Sequence, residues 1–404
     1  MTATFMWFLF SVWLCLPAFA EDWPEFRGPT GQGHSAERDL PLEWSESKNI
    51  VWKTPVPGRA WSSPVVQGDR IWLTTAVDSD GLSLRAIALD RATGRVIHNV
   101  EVFRLTDPGS MHAKNSHASP TPIIEGERVY VHFGAHGTAA LTSSGEILWK
   151  TRLPYNHLHG TAGSPVLHGD LLILSCDGVD VQYVVALEKG TGKIRWKSAR
   201  KGAMAYSTPL IIQVAGVDQV ISPGGLRAIA YEPSTGKELW SVRYADGFSN
   251  VPRPVYSKGL VYIGTGFNHP NLIAVRPDGK GDVTSSHIAW TERRSAPLTP
   301  SPLAVGDELY FVNDAGIASC VDARTGELHW RERLGGNHSA SPVYADGRIY
   351  FLNEDGESAV IEPGKSFRKL AVNKLDGSTL ASMAISGRSI FIRSATHLYR
   401  IESR

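Results

Sequence analysis

Two short phrases alternate through most of this chain, and their alternation leaves few folds open. The first is a turn phrase, clearest as DARTGELHW at 322–330. It returns as EKGTGKIRW at 188–196 and EPSTGKELW at 232–240. In DRATGRVIH at 90–98 His98 takes the aromatic slot, and TSSGEILW at 142–149 is one residue shorter. Before Trp290 the turn is swollen into RPDGKGDVTSSH. An apolar strand precedes each copy. The glycine supplies the positive φ that a short hairpin loop needs, and Asp, Ser or Thr ahead of it can hydrogen-bond the turn backbone. The large aromatic then falls at a fixed depth on the returning strand. Trp149, Trp196, Trp240, Trp290 and Trp330 are therefore expected to pack between neighbouring units.

The second phrase is strand, tight turn, strand, as in SSPVVQGDRIWL at 62–73 and SPVYADGRIYF at 341–351. Its proline recurs as Pro64, Pro122, Pro165, Pro209, Pro254, Pro302 and Pro342, with Met383 in an eighth, degraded slot. The intervals are 58, 43, 44, 45, 48, 40 and 41 residues, a propeller-blade period. Proline is tolerated at a strand's first residue because that amide need not join the ladder. Together the phrases give four strands per period. The chain is expected to be all-β, an eight-bladed β-propeller of four-stranded antiparallel blades. Period-2 patterning excludes a helical solenoid. The eighth unit ends after its third strand, HLYRIE at 397–402, while NIVWKTPV at 49–56 is a lone outer-type strand carrying Trp52. The N-terminal strand is expected to complete the last blade and close the ring.

Residues 1–20, MTATFMWFLFSVWLCLPAFA, read as a signal peptide, with Ala18-Phe19-Ala20 as its cleavage pattern. Export to the periplasm or beyond is expected, and no later stretch is apolar enough to span a bilayer. Residues 21–48 form an irregular lead-in pinned by Trp23 and Phe26, and 49–404 form the propeller. Outside the leader only Cys176 and Cys320 remain. They fall far apart on the ring and are expected to be unpaired core residues. Lys+Arg 41 against Asp+Glu 40 leaves a net charge of +1, with no basic stripe for nucleic acid.

No Trp-Asp dipeptide occurs, so the WD40 signature is missing. The DxxTGxxxW phrase resembles the tryptophan-docking repeat of pyrroloquinoline-quinone-like (PQQ-like) propellers. WPEFRGP, GKGDVT at 279–284 and the terminal THLYRIE resemble exported bacterial propellers of the outer-membrane assembly factor BamB type. In the quinoprotein dehydrogenases of this fold, the resemblance implies a quinone held with calcium, an Asp base, an Arg near the quinone and a disulfide between adjacent cysteines. This chain has no adjacent cysteine pair. Asp177, Asp314 and Asp355 follow second strands and read as turn residues.

Residues just ahead of the inner strands should ring the channel mouth. Candidate ligand-binding residues there are Trp61, Asn115, His117, His159, Tyr206, Asn250, Arg253 and His338, with Thr299 and His112 nearby. Seven of the fourteen histidines lie between 112 and 168. HxxxH at 132–136 need not converge on a metal, whereas His157 and His159 could share one side of a strand. No catalytic or metal residue is assigned. The leading expectation is a non-catalytic exported scaffold, monomeric and recognising an envelope protein or polymer. The alternatives are a PQQ- and calcium-dependent oxidoreductase, and a glycan- or small-ligand-binding propeller.

Overall fold

The computed structural model describes residues 20–403, so the expected signal segment up to Phe19, with Cys15, lies outside the described residues. Eight antiparallel sheets follow one another along the chain. Blades 1 to 7 occupy 65–105, 123–151, 166–199, 210–243, 255–292, 303–333 and 343–374. Blade 8 takes three strands from 384–402 and its outer strand from Ile50–Pro55, which pairs antiparallel with His397–Glu402 in the register Trp52↔Arg400. The ring is closed by the two ends of the described chain. The one helical turn among the described residues is a 3-10 turn at Gly134–His136.

Each blade is too thin to bury both faces alone. The apolar residues instead form seven clusters, each wedged between neighbouring blades and the last spanning blades 7, 8 and 1. Cys176 and Cys320 are buried, unpaired members of two different wedges.

Near the outer edge the turn phrase works across blades. The Trp52 indole donates to Arg91 O of blade 1 at 3.0 Å, Trp149 to Lys189 O at 3.1 Å, Trp196 to Pro233 O at 2.8 Å and Trp290 to Ala323 O at 3.1 Å. In each case the acceptor is the second residue of the next blade's turn. The turn glycine lies flat under the ring. A Cβ built on Gly236, where φ is +72°, would sit 2.4 Å from Trp196. The hydroxyl two residues after the indole adds a bond to the same turn, as from Thr151 to Gly192 O at 2.7 Å. Trp330 docks on blade 7 through Gly364 O at 3.0 Å and Phe367.

Trp240 departs from the expected docking. Its indole donates to Gln219 Oε1 of its own blade at 2.8 Å. The swollen turn of blade 5 has no tight glycine to offer. It reaches back instead, and Gly281–Asp282 adds a fifth, parallel strand to blade 4 in the register Trp240↔Gly281. The segment GKGDVT is thus more than a hairpin turn.

A second ring lies around the channel, at the residue before each marker proline. The backbone N–H of Ser63 donates to Thr121 Oγ1, Thr121 to Ser164 Oγ and Ser164 to Thr208 Oγ1. Arg253 donates to Ser301 Oγ, Ser301 to Ser341, Ser341 to Ser382 and Ser382 back to Ser63. These seven bonds span 2.9–3.2 Å. The belt is broken only between Thr208 and Arg253, where the Arg253 side chain donates through Nε to Pro209 O at 3.0 Å.

The lead-in does more than the sequence indicates: it floors the channel. Trp23 is fully buried and exchanges two 2.8 Å bonds with Val66 of blade 1. Pro24 O accepts from Ile124 of blade 2, Gln32 Oε1 from Tyr256 of blade 5, and Gly33 O from Tyr344 of blade 7. Arg27 donates to Pro302 O of blade 6 at 2.7 Å. Further on, Trp44 stacks on Tyr350 and its backbone N–H donates to Asn373 Oδ1, covering blade 7, whose outer strand carries no tryptophan.

Candidate functional site

On the face where inner strands begin, the ring opens into a funnel with a cavity of about 470 Å³. Its floor is Phe26 and the seven hydroxyl residues of the belt. Its rim carries Trp61, His112, Lys114, Asn115, His159 and Tyr206 on one side, and Phe248 and Phe267 on the other. Phe267 is 54% exposed and meets Phe248 edge-on at 5.7 Å. An exposed aromatic at a concave mouth is an available contact, unlike an isolated surface apolar residue.

Four of the eight candidate residues come together here: Trp61, Asn115, His159 and Tyr206. Thr299 and His112 join them. The loop 106–122, between blades 1 and 2, arranges this side. Asn115 Nδ2 donates to His159 O at 2.8 Å, the Trp61 indole donates to Lys114 O at 2.8 Å, and His112 packs edge-on against His159. The loop reaches as far as blade 7, where Lys114 Nζ meets Glu354 Oε1 at 2.9 Å.

The other four candidates do not line the funnel. Asn250 is buried and donates to the Tyr244 hydroxyl and Gly264 O. His338 is buried with Nδ1 unpartnered, and burial pushes its pKa down to about 4. Arg253 is 2% exposed and clamps the floor, donating to Phe26 O at 2.5 Å and meeting Glu25 at 3.2 Å. His117 lies between blades 2 and 3, its Nδ1 3.1 Å from His136 Nε2, with His157 packed edge-on against His136. The two histidines of HLH therefore separate, His157 into this cluster and His159 to the funnel rim. His132 turns away to Thr138. Burial and crowding by the neighbouring imidazoles push His132 and His136 down to about 3.

Asp177 is not a free turn residue either. It forms a buried ion pair with Arg200, whose Nε is 2.8 Å from Oδ1. Nor does the Asp314 side chain serve its own turn, where Asn313 Oδ1 accepts from the N–H of Ala315 and Ile317; Asp314 accepts instead from the N–H of Leu298 and Thr299, ahead of blade 6.

The sequence reading gave Phe26 only as a pin of the lead-in, and it missed Phe248, Phe267, Lys114 and the belt hydroxyls. Of these only the belt left a signal, the Ser or Thr before nearly every marker proline.

The sequence profile of the outer membrane protein assembly factor BamB family matches residues 36–181 and 180–404. The chain belongs to the BamB family. Among solved structures, BamB from Moraxella catarrhalis superposes with a TM-score of 0.62 at 14% identity, covering 88% of this chain and 98% of that one. A europium-containing methanol dehydrogenase gives 0.64 at 11% identity, covering 93% and 90%. These likenesses establish the propeller fold alone. A curated relative, the tetrathionate hydrolase of Acidithiobacillus ferrooxidans, is 22% identical over 289 residues, which is 65% of this chain. The match spans 51% of the relative's length, about half.

A BamB-family propeller with a dehydrogenase-like ring raises the question of PQQ. A quinone held through calcium needs oxygen ligands, carboxylates above all. Among the described residues, no Asp or Glu lines the funnel, and no cluster of three or more His, Cys, Asp or Glu is placed to hold a metal ion. Arg253, the one arginine among the candidates, is committed to the floor. These residues do not fit a calcium-held quinone.

Proposed function

We propose that this chain is a non-catalytic binding module of the cell envelope, capturing a protein or polymer segment in its funnel. The observation that carries the reading is the funnel wall itself: exposed and half-buried aromatics over a sealed hydroxyl floor. General acid–base catalysis needs a group positioned to move a proton. Of the wall's titratable side chains, His112 packs against His159, the Tyr206 hydroxyl accepts from the His159 N–H, and Lys114 is paired with Glu354. Export is part of the proposal. Its support is the apolar N-terminal run and the family, and no helix among the described residues is long and apolar enough to cross a membrane.

Immobilised full-length protein, leader removed, tests the reading against envelope extract. Specific components retained by wild type and lost with Trp61→Ala/Phe267→Ala support it. Equal retention by both proteins moves the site elsewhere and overturns it.

A further inference from the structure

The hydroxyl belt holds an unused capacity that the fold does not require. A serine or threonine hydroxyl has one hydrogen to donate as well as lone pairs to accept with. All seven belt oxygens are spent as acceptors of a neighbouring N–H, and all seven residues line the funnel. Among the described residues, none of the seven hydroxyls donates its hydrogen to a protein acceptor. An oxygen already accepting a bond is a stronger donor through its own hydrogen. The floor is therefore a ring of polarised O–H donors around one axis.

Buried charge next to the ring has a matching sign. Arg27, Arg253 and Arg393 are 1%, 2% and 1% exposed. Arg27 and Arg253 bond the carbonyls of Pro302 and Pro209, one residue below the belt. Arg393 donates through Nη1 to Ser62 Oγ at 2.7 Å, one residue above it. Among the described residues, one carboxylate, Glu25, pairs with any of the three. Nε and Nη1 of Arg27 and Nε of Arg393 are buried without a partner. Burial pulls the Arg27 and Arg393 pKa values down to about 9, so both stay protonated at neutral pH. In a low-dielectric wall such an excess of cation attracts anions. Above the ring, the groups facing inward are His112, His159, the aromatics and Lys114, whose charge is matched by Glu354 behind the wall.

We infer that the belt is an oxyanion receptor. Its ligand carries a carboxylate, sulfonate or phosphate group on an apolar or aromatic body, with the anionic end on the hydroxyl ring. The body lies against Trp61, Tyr206, Phe248 and Phe267. This inference rests on the funnel being the binding site and names the chemistry it selects.

Four matched probes test it by calorimetric titration of the full-length protein, leader removed: 2-naphthoate, 2-naphthalenesulfonate, 2-naphthyl phosphate and the neutral 2-naphthalenemethanol. At least one anion is expected to bind tenfold or more tightly than the alcohol, and the best of the three identifies the oxyanion. Ser164→Ala/Ser341→Ala should abolish that preference, bringing the best anion's affinity down to the alcohol's; a folded variant that keeps the preference overturns the inference. If this variant does not fold, the wild-type ratio of anion to alcohol decides alone. The alcohol binding as tightly as every anion, or none of the four binding, overturns the inference. If the inference falls but envelope components are still lost with Trp61→Ala/Phe267→Ala, the binding-module reading survives.

Discussion

The propeller is fastened twice, and the two fastenings are written in different residues. At the outer edge, indoles of one blade dock on the glycine turn of the next. Around the channel, backbone N–H groups of one blade meet hydroxyls of the next. The first depends on a large, rare side chain and a positive-φ glycine. The second depends on a small hydroxyl ahead of a proline. The outer strands of blades 1 and 7 also lack an indole, but the two fastenings give way together between blades 4 and 5, where Trp240 bonds its own blade and Arg253 replaces a hydroxyl. Each break is mended differently: a parallel strand outside, and an arginine reaching back to Pro209 O inside. Arg253 also holds the channel floor. An irregularity of the repeat is thus where the ring gains a separate feature.

The largest expected effect tests the outer fastening. Trp330→Ala should destabilise by ~3–5 kcal/mol in urea unfolding, as a buried large-to-small change. Gly236→Ala should cost ~2 kcal/mol by overpacking against Trp196. Much of that cost should vanish in the Trp196→Ala background, leaving the backbone strain of a left-handed residue. Additive costs would mean that ring and glycine do not act as one contact.

Arg253→Ser puts a hydroxyl into the one gap of the belt but removes the clamp on the floor. Hydrogen bonds from a charged donor contribute about 2 kcal/mol. In hydrogen exchange, amides of 26–33 should lose protection while the blade strands keep theirs. Unchanged protection at 26–33 would show that the floor is held without Arg253.

Acid acts on an interface that is intact in both rings. Between blades 2 and 3, His132 and His136 are neutral in the folded protein, with pKa values down near 3. In the unfolded chain a histidine titrates near its ordinary value of about 6.5. The unfolded state then binds more protons between those limits, so stability is present above pH ~6.5 and is lost as pH falls toward about 3. Each histidine contributes a slope of up to ~1.4 kcal/mol per pH unit. His132→Gln should flatten the acid limb of a Tm-against-pH curve. An unchanged limb would place the acid sensitivity elsewhere.

The smallest stability effect belongs to the funnel rim. Phe267→Ala should change stability by no more than ~0.5 kcal/mol, as an exposed substitution. It should nonetheless weaken capture of any funnel ligand.

The ring was legible because the proline and glycine phrases recur at a blade period, and the lone Trp52 strand revealed its closure. The girdle was legible wherever the turn kept its glycine, and it failed at Trp240 because the swollen turn gave no hint that it would pair backward. The site was half legible. Trp61, Asn115, His159 and Tyr206 sit where inner strands begin, and that position is fixed by the repeat. Arg253 and Asn250 occupy equivalent positions but are drawn inward by Phe26, Glu25 and Tyr244. Those are contacts across long stretches of chain that no local pattern records. Phe267 and Lys114 lie on loops whose course depends on neighbouring blades.

The funnel is the centre of this account, and photo-crosslinking tests it most directly. A photoreactive residue would replace Phe267 at the funnel mouth or Val217, 51% exposed at the blade-4 turn on the opposite face. In living cells that export the protein, the account predicts crosslinked products from position 267 and none from 217. Products from 217 alone, or equally from both, would contradict it.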